Sequence, residues 1–254
     1  MVFPLYDDNS DRTTTPWVNY AIIGLNIFVF VVLQQLGTND QFTYSFSTVP
    51  REILTGHDVV TSSRQVVDTI SGQALTIPGL GPTPISVYIT LFTSMFMHGG
   101  IAHIAGNMLF LWIFGDNIED RVGHVKYLIF YLLCGVLASL AHVFATGVFA
   151  TDEQSLLVPS LGASGAISGV LGAYILLYPK RRVTVILFRF LTQVPAYVAI
   201  GIWFAFQLIS GLGMLGGGSQ TGGVAYAAHV GGFLAGLILV KFFDSGKKNS
   251  APAY

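Results

Sequence analysis

Three short clusters hold side chains that can do chemistry inside stretches otherwise apolar enough to cross a membrane. "HGGIAHIAGN" contains His98, His103 and Asn107, "GASGAISGVLG" contains Ser164 between Ala163 and Gly165, and "AAHVGGFLAG" contains His229. Polar and ionisable groups within spans are costly, so each is a functional candidate by default. A serine hydroxyl beside a neutral imidazole is an activated nucleophile. His103 and Asn107, four residues apart, share a helix face. Taken singly, each cluster also has a plainer reading. "GASGAISG" is a helix-packing face, and a lone serine in a span bonds back to its own helix. His229 is a packed hydrogen-bonded residue, and Asn107 is an interhelical hydrogen bond. His57, His124 and His142 have no evident partners in the sequence.

The composition states what must position these groups. Of 254 residues, 52% are hydrophobic and only 10% charged, and mean hydropathy is +0.65. A soluble domain carries roughly 25% charged residues, so this chain cannot clothe itself in a hydrated surface. A net charge of −1 gives no reason to expect a nucleic-acid partner. The single cysteine, Cys134, excludes an internal disulfide framework and a cysteine-based zinc knuckle.

Hydropathy predicts an all-α membrane protein with six spans, at about 17–36, 101–118, 127–149, 164–178, 194–215 and 224–243. Trp17 and Tyr20 anchor the first at an interface. Residues 1–16 read as a short cytoplasmic N-terminus with no removable signal, 17–243 as the membrane domain, and 244–254 as a cytoplasmic tail. A long external loop occupies about 37–84, followed by an interfacial segment at 85–97. The fourth span is about fifteen residues, so its N-terminus is expected below the membrane surface, where neighbouring protein or water satisfies its backbone.

With the N-terminus inside, Arg12, Arg121, Lys126, Lys180, Arg181, Arg182, Arg189, Lys241, Lys247 and Lys248 are internal, and only Arg51 and Arg64 external. The positive-inside rule therefore predicts cytoplasmic termini, with spans two, four and six running from outside to inside. All three clusters lie near the N-termini of those spans, so they share the outer half of the bilayer. His229 is expected ~7–8 Å below the outer end of span six. Gly165 and Gly169 in span four, and Gly232 and Gly236 in span six, recur at the four-residue spacing that lets backbones approach closely. If those faces meet, Ser164 and His229 come within hydrogen-bond reach.

Other chemistries fit less well. There is no H-E-x-x-H pair for a zinc protease. Every Asp lies in a loop, terminus or span end, so no two intramembrane aspartates share a proton. A transporter is expected to show broken helices in related halves, and no such symmetry is visible. A haem-binding bundle using two of His98, His103, His142 and His229 remains the rival, although it gives Ser164 and Asn107 nothing to do.

At these residues the chain resembles the rhomboid family of intramembrane serine proteases, over about residues 17–243. "GASG" resembles the family's nucleophile motif, "AHVGGFLAG" its sixth-helix pattern, and "HGGIAHIAGN" its second-helix motif. "FGDNIEDRVGH" is similar to the segment after that helix, and "FSTVPREIL" to the start of the external loop. The resemblance implies a six-helix rhomboid-like bundle, with Ser164 as nucleophile and His229 as base. It implies His103 and Asn107 as oxyanion residues, Glu119 as structural, and the four glycines as packing positions. His98 is left as an auxiliary loop or substrate contact. The implied activity is endoproteolysis of transmembrane or membrane-proximal segments of membrane-protein substrates, without a cofactor or metal, at a site opening to the external side of a bacterial plasma membrane. Two departures stand out. The Trp-Arg pair that many members carry before the second helix is missing, and Ser168 stands where some members have a tyrosine stacked on the base.

Overall fold

The computed structural model describes residues 2–67, 74–150, 152–187, 190–215, 226–244 and 246. Expectations placed on Arg189, Val224, Lys247 and Lys248, and on most of the 244–254 tail, lie outside the described residues. The chain opens with strand β1 (Val2–Asp7) and helix α1 (Trp17–Phe28), which continues through a π-helical turn at Val29–Leu33. It stops where Gln35 and Leu36 take positive φ.

The segment read as an external loop is built from small elements. Helix α2 (Asp40–Ser45) is capped by the Asn39 side chain, which accepts from the Phe42 N–H. Helix α3 (Pro50–Thr55) starts on proline and ends on left-handed Gly56, and β2 (Arg64–Val67) pairs antiparallel with β3 (Ala74–Ile77). Helix α4 (Thr90–Thr93) lies within Val87–Phe96, which meets α5 (Ile101–Val122) at 81°. The rest of the chain supplies α6 (His124–Phe149), α7 (Ser164–Leu177), β4 (Arg182–Leu187), β5 (Phe190–Pro195), α8 (Ala196–Leu215) and α9 (Tyr226–Phe243).

The molecule is mostly helical, but the all-α expectation needs correction. A three-stranded antiparallel sheet in the order β1-β4-β5 closes one end of the bundle. Its register runs from Val2 opposite Leu187 to Asp7 opposite Val183, with an irregularity between Pro4 and Tyr6. In "RVTVIL" β-branched residues recur, a pattern suited to a pleated surface, and Val183 and Val185 are buried in the core. Hydropathy and charge counting register the same residues only as connections.

Among the described residues two helices, α6 and α9, are each long and apolar enough to cross a membrane, and the bent pair Val87–Phe96 plus Ile101–Val122 makes a third if it is one span. Trp17–Leu33, Ser164–Leu177 and Ala196–Ile209 are apolar but shorter. The 14 residues of α7 rise about 21 Å, less than the roughly 30 Å hydrocarbon core. Every residue of α7 from Gly165 to Tyr174 is buried, as expected of a helix that is apolar all round. Around it pack Phe114 of α5, Cys134 and Ala138 of α6, and Phe233 of α9. Protein rather than lipid thus satisfies this short helix.

Glycine brings α7 and α9 together. A Cβ on Gly232 would stand 2.1 Å from the Gly165 carbonyl oxygen, and one on Gly236 would stand 1.9 Å from that of Gly169. Neither position tolerates a side chain without moving a helix.

The opposite end of the bundle from the three polar clusters is held by charge. Pro16 offers α1 no side-chain cap, and the buried Glu119 carboxylate of α5 does so instead, accepting the N–H groups of Val18 at 2.9 Å and Asn19 at 2.6 Å. Carboxylates are favoured at helix N-termini. His124 is also tied to Glu119, a partner not evident in the sequence. Asp120 accepts from the Thr13 and Thr14 backbones, and Arg12–Asp116, Arg121–Asp244 and Arg181–Asp11 pair at the same end.

Asp7 closes β1 in a buried position, with Tyr174 and Asn117 donating to its Oδ2. Burial pushes its carboxyl up to about 7 and nearby Asp116 adds to the rise, while Tyr174 and Arg181 oppose it. The folded chain therefore keeps a proton that the unfolded chain releases near 3.8. This contribution is fully present below that pH and is lost as pH rises through about 7. Its upper bound is on the order of 4 kcal/mol. Asp7→Asn is expected to flatten the loss, measured as the thermal midpoint in detergent at about pH 5 against about pH 8. The same pH dependence in both proteins would assign it to other groups.

Candidate active site

Ser164 is the first residue of α7, and the loop ahead of it is pinned to the elements between α1 and α5. Ser160 and Thr48 exchange backbone hydrogen bonds of 2.8 and 3.0 Å, and the Gly162 N–H donates to the Ser94 carbonyl at 2.9 Å. The Thr48 hydroxyl bonds the Thr90 carbonyl and lies 3.0 Å from the Ser94 hydroxyl. Thr48 lies in the "FSTVPREIL" stretch, so one task of that segment is to hold the approach to Ser164. Gly162 sits at φ +117, where side chains are strained, and a Cβ there would stand 2.8 Å from His103 Nε2. The glycine leaves room for an imidazole beside the serine. Starting the helix at Ser164 also leaves first-turn N–H groups and the positive end of the helix dipole at this spot.

The facing α7 and α9 backbones bring Ser164 and His229 together, with Oγ 2.8 Å from Nε2. The other ring nitrogen, Nδ1, lies 2.8 Å from Oε1 of Gln207 on α8. The Trp203 ring, one turn earlier on α8, lies 5.9 Å from the imidazole, centroid to centroid. Ser168 does not approach the base, because its hydroxyl turns back to donate to the Ser164 carbonyl at 2.6 Å. Sequence reasoning missed Gln207. The signal available was one carboxamide in the otherwise apolar run "IGIWFAFQLI".

His103 and Asn107 line the α5 side of the same spot. The Gly99 N–H approaches His103 Nδ1 at 3.3 Å, so in the neutral ring the proton sits on Nε2. That Nε2–H faces Gly162. Asn107 Nδ2, 3.6 Å from the same built Cβ position, is buried without a hydrogen-bond partner among the described residues. A buried donor left unpaired is costly, and Asn107 Nδ2 is one, beside the glycine two residues ahead of Ser164.

His98 is fully buried rather than presented to a loop. Its ring meets that of His103 edge-on at 5.2 Å, both of its nitrogens lack partners among the described residues, and its backbone is clasped by the Gln34 side chain. Glu119 stands at the other end of α5, as part of the α1 cap. For the haem rival, His229 offers no free nitrogen, since Ser164 and Gln207 engage both. No group of three or more His, Cys, Asp or Glu side chains able to hold a metal ion occurs among the described residues.

A cavity of about 20 Å³ opens beside Ser164, walled by Met95, Gly135, Ala138, Ser139 and Ala228. That is room for about one water molecule.

Rhomboid protein 1, mitochondrial, of Saccharomyces cerevisiae is 31% identical over 150 residues, covering 59% of this chain and 40% of that protein. Rhomboid protease GluP of Bacillus subtilis is 35% identical over 143 residues, covering 56% of this chain and 26% of GluP. The human presenilin-associated rhomboid-like protein, mitochondrial, is 32% identical over 152 residues, 60% of this chain and 37% of that protein. The chain thus spans well under half the length of these relatives. Mitochondrial proteins stand beside a bacterial one, so the expectation of a bacterial plasma membrane gains no support. The apolar helices and these relatives make it an integral membrane protein. The family model for the rhomboid domain matches residues 86–244, well over half of the chain and all three clusters, and the chain belongs to the rhomboid family.

Proposed function

We propose that the chain is an intramembrane serine endopeptidase that cleaves transmembrane or membrane-proximal segments of membrane-protein substrates. The observation that carries this reading is the 2.8 Å approach of His229 Nε2 to Ser164 Oγ at the N-terminus of a buried helix. Ser164 attacks the peptide carbonyl as His229 takes its proton, and the imidazolium returns that proton to the leaving amine. The acyl-serine is then hydrolysed by a water activated at the same imidazole. Negative charge on the carbonyl oxygen is met by the Ser164 N–H, His103 Nε2–H and Asn107 Nδ2–H. Gly135, Ala138 and Ser139 wall the space beside the nucleophile, which favours a small substrate residue next to the cut.

The membrane arrangement belongs to the same proposal. Helices α1, α5, α6, α7, α8 and α9 are six spans within 17–243, with 1–16 and 244–254 cytoplasmic and the site opening outward. It is supported by the ion pairs of Arg12, Arg121 and Arg181 at one end, against Arg51–Glu153 at the other. A tag after Tyr254 is then protected from external protease in intact cells or spheroplasts, and a tag near Gly79 is cut.

The test of the activity is labelling by a serine-reactive phosphonate, run beside cleavage of a generic transmembrane substrate in detergent. Wild-type protein is expected to be labelled at Ser164, with no label in Ser164→Ala. A Soret band without labelling would restore the haem reading.

A further inference from the structure

We propose that Gln207 is a positioning residue for the Ser164–His229 pair, a proposal that rests on reading the pair as nucleophile and base. Its amide oxygen, 2.8 Å from Nδ1, accepts the Nδ1–H. In a neutral imidazole this leaves Nε2 with a lone pair facing the serine hydroxyl. Without such a partner the proton is free to sit on Nε2, and that tautomer cannot accept the serine proton.

The setting of Gln207 marks it as placed for this contact. Its neighbours on α8 face outward, with Phe206 57%, Leu208 39% and Ile209 70% exposed, while Gln207 is 7% exposed. Trp203, four residues earlier and on the same face, sets its ring beside the imidazole, tilted at 41°. Phe204 stacks on Phe233 of α9 at 4.1 Å, fixing α8 against the helix that carries the base. A buried carboxamide needs a partner to offset its desolvation, and the imidazole is the partner it has. Being neutral, the amide orients the ring without adding a buried charge, whose desolvation is expensive. It also fills the orienting role left open by Ser168, whose hydroxyl is spent on the Ser164 carbonyl. The other titratable side chains whose charge reaches His229 are His103 on α5 and His142 on α6, both imidazoles.

The experiment uses the full chain in detergent, with Gln207→Leu and Gln207→Glu. Mispairing the base with its orienting group costs about 10⁴-fold in a Ser-His-Asp triad, and a neutral amide gives orientation without charge, so Gln207→Leu is expected to lose about tenfold in kcat with KM nearly unchanged. In Gln207→Glu, activity is expected to return and its acidic limb to move to higher pH, because a carboxylate favours the charged imidazole. The tautomer is read separately by ¹⁵N NMR of the His229 ring in Ser164→Ala protein. The Nδ1–H form is expected when Gln207 is intact, and a mixture of the two tautomers when Gln207→Leu is added. That spectrum needs no turnover, so it judges Gln207 even if the protease reading fails. Wild-type kcat in Gln207→Leu, an unmoved pH profile in Gln207→Glu, or an unchanged ring spectrum would each overturn the proposal.

Discussion

Ser164→Ala and His229→Ala are each expected to lower kcat on a transmembrane substrate by roughly 10⁴-fold or more, and the double variant by no more than the worse single one. The magnitude follows from the division of labour. Without the hydroxyl there is no acyl intermediate. Without the imidazole the hydroxyl keeps its proton at neutral pH, and the leaving amine has no acid. Because the two act in one step, their losses do not add. Folding should register these changes far less than turnover does. Ser164 and His229 are only partly buried; Ser164→Ala gives up the one bond to His229, and His229→Ala gives up that bond and the one to Gln207, each worth about 1 kcal/mol net. A thermal midpoint close to wild type for Ser164→Ala and a lower one for His229→Ala, which leaves the Gln207 amide unpartnered, with turnover gone in both, are therefore the expected results. Retained turnover in either variant, with wild-type contamination excluded, would dismiss the pair as nucleophile and base.

That pairing is legible in the sequence because three one-dimensional signals agree: apolar length, the side on which Lys and Arg collect, and glycine at four-residue spacing. Together they predict Ser164 and His229 at one depth on facing helices, and in the structure their side chains are 2.8 Å apart. What is not legible depends on contacts between distant segments. Gln207 reads as a lapse in an apolar run until α8 is seen turning it toward His229. Thr48 reads as loop until Ser160 is found across from it. The sheet is hidden for a similar reason, since Val2–Asp7 has no partner until residue 182 and carries enough charge nearby to pass for a solvated tail. The shortness of α7 shows in the hydropathy, but only packing explains it, with Gly165–Tyr174 buried on every side. For His98 the sequence misleads, because proximity to a site along the chain is not access to it, and its ring is fully enclosed.

Asn107 carries the second large expectation, and its unpaired Nδ2 is what gives the experiment its direction. An interhelical structural amide would be bonded to a neighbouring helix, and Asn107→Ala would then cost about 1 kcal/mol or less of stability with kcat intact. Here the buried donor has no such partner among the described residues. Truncating it should therefore leave the thermal midpoint unchanged or slightly raised, because an unsatisfied buried group is removed. Its value appears when the carbonyl oxygen gains charge. Loss of one oxyanion donor typically lowers kcat by about 10²–10³. The His103 Nε2–H and the Ser164 N–H share this load, which brings the expected loss to roughly 10–10²-fold. Phosphonate labelling of Ser164 should slow without vanishing, since His229 still activates the hydroxyl. His103→Ala, run alongside, should show the same split, with some added loss of order because its Nδ1 also holds the Gly99 turn. A destabilised Asn107→Ala protein with wild-type kcat would give the residue a structural role alone, because a donor that acts only in the transition state cannot be removed without slowing the reaction.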